Sequence, residues 1–110
     1  MTKKYNKVNV FNNAIKNTKM FMFEFNAFEL KVIENCLNFN NHYSKMYTHI
    51  AQNLIYNFSK YLSPIVLNSY QVDGLKDCIE NYLKKFKVSS KENTTLENIK
   101  NNLIKAIKGN

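Results

Sequence analysis

Lys45, His49, Gln52, Tyr56 and Lys60 follow one another at spacings of four, three, four and four, the most specific chemical pattern in the chain. On one continuous helix they line a single edge over roughly 22 Å, at a rise of about 1.5 Å per residue. Lysine is a compact point charge suited to phosphate, and an exposed tyrosine ring offers a face on which a base can stack. The edge therefore reads as a grip for a nucleic-acid strand or backbone groove. An ordinary solvated helix face is the plainer reading of the same residues. A second basic group comprises Lys84, Lys85, Lys87 and Lys91, extended by Lys100, Lys105 and Lys108. It joins Lys3, Lys4 and Lys7 if the two ends of the chain meet. Repulsion between solvated tails is the bland counterpart.

The charge layout supports a polyanionic partner. The 110 residues contain 16 lysines, no arginine and 8 acids, for a net charge of +8. Residues 1–20 carry +5, residues 21–83 carry −2 and residues 84–110 carry +5, so the excess sits at the ends. Such asymmetry favours nucleic acid or an anionic surface. Without arginine, bidentate reading of guanine loses its usual side chain, and contact falls mainly on backbone phosphates. Codon bias competes with this reading: Phe, Tyr, Met, Ile, Asn and Lys, all with AT-rich codons, make up 63 residues.

A third group points to protein contact. Met20, Phe21, Met22 and Phe23 form a strand-like run that is apolar on both faces. Such a run is either buried on both sides or leaves one face open as a partner or homodimer contact.

Catalysis and metal binding find little support. The chain lacks the zinc-protease, serine-hydrolase and nucleotide-binding motifs, and its two glycines cannot build a phosphate-cradling loop. Glu24, Glu29 and Glu34 diverge on any helix. Asp73 and Asp77 share a face, but near a helix start, where acids favour the dipole. His42 and His49 lie roughly 10 Å apart along a helix, too far to share one ion. Cys36 and Cys78 fall on apolar arcs and form no CxxC pair, so reduced, buried thiols are expected. No enzyme activity, metal or cofactor is expected.

The elements that position these groups follow from periodicity. Residues 5–11 and 20–25 predict an antiparallel hairpin around the polar stretch 12–17, with Phe21, Phe23 and Phe25 on one face. A long helix from Lys19 is the competing reading. Asn26, with Glu29 as capping-box partner, opens a helix over 27–39. Its apolar face is wide enough to be covered on two sides. Further helices are expected over 42–62, 73–87 and 95–108, the last opened by Thr94 and Glu97 and closed by Gly109. Residues 65–72 are ambiguous. The expected fold is one α+β domain, an N-terminal hairpin against about four helices, with an all-α bundle as the alternative.

No apolar run reaches the roughly 20 residues of a membrane span, and the opening residues do not resemble a secretory signal, so a cytoplasmic protein is expected. Two functions fit these features. One is a small non-enzymatic protein whose basic surface engages nucleic acid or a nucleoprotein. The other is a protein-interaction module aimed at a host protein, such as a phage or mobile-element inhibitor of a nucleic-acid enzyme or defence system, anti-CRISPR-like in its small size and lack of motifs.

Overall fold

Asn26 and Glu29 fold back on each other's backbone and fix where the first helix begins. The Asn26 side chain accepts from the Glu29 N–H, and the Glu29 carboxylate accepts from the Asn26 N–H, both at 2.8 Å. This capping box satisfies two donors that a helix start leaves bare. The computed structural model describes residues 19–59 and 64–109. Within them the order is β1 (Met20–Phe23), α1 (Ala27–Tyr43), α2 (Thr48–Ser59), β2 (Ile65–Asn68), α3 (Ser69–Lys85) and α4 (Ser90–Lys108). The fold is α+β, a two-stranded antiparallel sheet packed with four helices. Met20–Phe23 is a strand, which removes both the all-α arrangement and the long helix from Lys19. Its described partner is β2, from the stretch that periodicity left ambiguous; residues 5–11 lie outside the described residues.

Register sorts the strand side chains by face. Phe21 pairs with Leu67 and Phe23 with Ile65, and these four turn inward. Met22 pairs with Val66 and Met20 with Asn68 on the opposite face, as the twofold alternation of a strand requires.

Three helix starts differ from those the sequence predicts. α1 runs past residue 39 to Tyr43 because Asn40, a poor helix former, is satisfied by its surroundings. Its buried amide donates to the Cys36 carbonyl at 2.8 Å and to the Cys78 carbonyl of α3 at 3.0 Å, while its oxygen accepts from Asn81 at 2.9 Å. His42 and Tyr43 therefore end α1 instead of opening the next helix. Ser44 then makes the turn: its N–H donates to Asn40 O, its hydroxyl accepts from the Tyr47 N–H, and its carbonyl accepts from the Thr48 hydroxyl. α2 consequently starts at Thr48, not near 42. α3 starts at Ser69, four residues before Asp73, behind a second capping box in which Asn68 and Gln71 exchange bonds of 2.8 and 2.9 Å. α4 starts at Ser90, capped by Ser89, and Thr94 and Glu97 lie inside it. Gly109 ends α4 as expected, but at φ −69°, so no left-handed residue is involved.

The core joins Val32, Ile33, Cys36 and Leu37 of α1 to Ala51, Leu54 and Phe58 of α2, and to Leu75, Cys78 and Ile79 of α3. Leu96, Ile99 and Leu103 of α4 close it from the far side. α1 touches all three other helices, which accounts for its wide apolar arc, and α3 touches every other described element. The close approach of α2 on α3 needs Gly74: a β-carbon there would sit 2.6 Å from Ile50 Cγ2.

Candidate nucleic-acid interface

The five-residue edge predicted on one helix is divided by the start of α2. Lys45 lies in the turn before it, while His49, Gln52 and Tyr56 are exposed on α2 itself. Lys60 lies outside the described residues. His49 also borders a shallow hollow of about 350 Å³ between α2 and the start of α3, where the Gln71 amide donates to Asn53 Oδ1 at 3.1 Å. His42 sits in the last turn of α1, on a different helix from His49. No group of three or more His, Cys, Asp or Glu among the described residues could hold a metal.

The second basic group is brought to one corner. Lys84 and Lys85 end α3, Lys87 lies in the short connection, and Lys91 is in the first turn of α4; all four are exposed. Lys91 is engaged locally, its ammonium 4.4 Å from the centre of the Phe28 ring of α1. Ion pairs among the described residues involve Lys76 and Lys100 only. Lys100 meets Glu97 at 2.9 Å, and Lys76 meets Asp77, Asp73 and Glu80 at 3.3, 3.5 and 3.8 Å. Partial burial works against the Lys76 charge, but the hydrogen bond it donates to Asp77 and the three carboxylates outweigh it and hold its ammonium above the usual lysine range. The acids of α3, Asp73, Asp77 and Glu80, are thus gathered around one lysine. Lys84, Lys85 and Lys87 stand at the C-terminal end of that helix with no ion pair among the described residues. Cations there also complement the carbonyl end of the helix dipole.

Beside these lysines lies a group of rings that periodicity assigns to the core. Phe39 of α1 has Tyr43 at 5.6 Å, Tyr82 at 5.4 Å and Phe86 at 5.9 Å between ring centres. Tyr82 and Phe86 stack at 5.3 Å with planes 10° apart, and His42 lies edge-on to Tyr43. Tyr82 is buried, and its hydroxyl donates to Glu92 of α4 at 3.1 Å. Burial first, and then this carboxylate, push the hydroxyl above the ordinary tyrosine range, so it keeps its proton. Tyr43 and Phe86 reach the surface, at 78% and 49% exposure. The signal that could have found them is the helix ends: both rings fit the apolar arcs, but each sits where its helix stops.

The strand proposed for protein contact is divided by its pleat. Met20 and Met22 are exposed at 48% and 69%, beside Val66 at 45%. Phe21 and Phe23 pack against the core instead, with Phe23 stacked on Phe25 at 5.8 Å and Phe25 against Phe58 of α2 at 6.1 Å. A cleft of about 590 Å³ between α1 and α2 has Leu30, Leu37, Ile55 and Phe58 in its walls, with Lys31 and Glu34 also lining it.

Cys36 and Cys78 are buried and free. Burial pushes the Cys78 thiol up to about 12, with Asp77 adding to the effect, and burial, Glu92 and Cys78 push Cys36 higher still. Both thiols stay protonated and unreactive at neutral pH. No helix among the described residues is long and apolar enough to cross a membrane. Comparison of the chain with family models, curated proteins and solved structures finds no match.

Proposed function

We propose that this protein is a non-enzymatic binder of nucleic acid or a nucleoprotein, holding backbone phosphates with the lysines at the end of α3. The observation that carries this reading is that Lys84, Lys85 and Lys87 are exposed together with no ion pair among the described residues, while the acids of the same helix are gathered around Lys76. Lysines that grip phosphate displace counterions, so affinity falls with salt at a slope of about 0.7 to 0.9 per contact. In a fluorescence-anisotropy titration of a labelled oligonucleotide, replacing all three lysines by glutamine should weaken binding and flatten the salt slope by about 2. An unchanged slope removes this corner as the contact.

The open sheet face favours a second reading, a protein-interaction module that docks on a host target through Met20, Met22 and Val66. Capture of a defined target that survives nuclease and high salt, and is lost in Met22→Lys, supports it. Capture that nuclease abolishes counts against it.

A further inference from the structure

We propose that the rings of Tyr43 and Phe86 form a stacking platform for unpaired bases, so that the ligand of the lysine corner is single-stranded nucleic acid. This rests on the phosphate-binding reading and adds a substrate class to it. The platform is built before any ligand arrives. Tyr82 is fixed from below by its bond to Glu92, Phe86 lies flat on Tyr82, and Phe39 wedges between Tyr82, Phe86 and Tyr43. Each exposed ring therefore has one side backed by another ring and substantial surface open to solvent. Two of the lysines precede Phe86 directly and the third follows it, so cations flank the ring on both sides in the chain. Rings among cations suit a strand that offers phosphates and base faces together. A duplex hides its base faces within its own stack and offers the rings nothing. An apolar peptide would cover the rings but leave the lysines without a counter-charge. With no arginine in the chain, the platform is expected to tolerate any sequence.

The chain contains no tryptophan, so Tyr43→Trp places a single, selectively excitable indole on the platform. Titrated with 20-nucleotide oligothymidylate, its emission should be quenched, with little change on adding a 20-base-pair duplex. At equal salt the wild-type protein should bind the single strand at least tenfold more tightly than the duplex. Tyr43→Ser should weaken single-strand binding by about 5- to 100-fold, in line with the loss of one base stack, and leave duplex affinity and salt slope in place. Tyr43 ends its helix and is largely exposed, so circular dichroism of this variant should match the wild type. Equal affinity for both nucleic acids, an unquenched tryptophan at saturation, or a Tyr43→Ser variant that binds normally would each overturn the platform. If the lysine triple variant still loses affinity in that case, the phosphate grip stands alone. If neither nucleic acid binds, both readings fall. Polyglutamate binding as tightly as oligothymidylate would overturn the platform in favour of an acidic protein partner.

Discussion

At the scale of single residues, one buried polar side chain among the described residues ties two helices together. It is Asn40: one amide touches two backbone carbonyls on different helices and receives a third bond from Asn81. An asparagine in a row of asparagines carries no mark in the sequence that it is the buried one. Its role depends on where Cys78 and Asn81 arrive. The cysteines were legible, because their apolar neighbours recur at helical spacing. Their burial has a consequence in alkali. Unfolded, each thiol loses its proton near 9.0; folded, Cys78 holds it to about 12 and Cys36 beyond. The unfolded state therefore binds fewer protons between these values, and stability falls as pH rises through them. Urea midpoints should be flat with respect to these groups below about pH 8 and decline above pH 9. Cys36→Ala should make that decline shallower, even though the cavity lowers stability throughout.

At the scale of elements, the helix starts decide which side chains face outward. Asn26 and Glu29 announce theirs because the box directly precedes an apolar run. Asn68 and Gln71 form the same box, yet the apolar residues before it belong to β2, so the boundary is masked by a strand four residues long. The α2 start is hidden for a different reason. Tyr43 and Met46 extend the apolar period backwards, although both are more than three-quarters exposed. Packing between helices also overrides propensity at Gly74. Alanine is the better helix former by about 1 kcal/mol, but overpacking typically costs 1–3 kcal/mol. Ile50 is β-branched and cannot swing its Cγ2 aside cheaply. Gly74→Ala should thus lower stability by on the order of 1 kcal/mol, and the sign should reverse in an Ile50→Ala background, where that methyl is gone. Thermal denaturation of the four proteins in this cycle checks both signs.

At the scale of the whole molecule, the sheet joins a strand near the start of the chain to one beyond α2. Periodicity identified Met20–Phe23 as a strand but named residues 5–11 as its partner; the described partner is Ile65–Asn68, a pairing that depends on where α1 and α2 deliver that segment. The same limit applies to the aromatic corner: the lysines were visible as a charge run, while the rings beside them met only through the packing of α1 on α3. The two faces of the sheet should respond differently to substitution. Phe23→Ser removes a ring packed on Phe25 and the core and should cost about 2–4 kcal/mol. Met22→Lys, on the open face, should change stability by less than about 0.5 kcal/mol. Chemical denaturation distinguishes them, and a large loss in Met22→Lys would mean that face is covered. The joint between α3 and α4 has its own consequence. Phe86 caps one helix and Ser89 the other, and Val88 between them packs on the core. Such an elbow has almost no slack, so an anion arriving there meets a rigid corner. Under the proposed function, the ordering penalty of association would fall on the incoming strand, which would have to bend to the protein's shape.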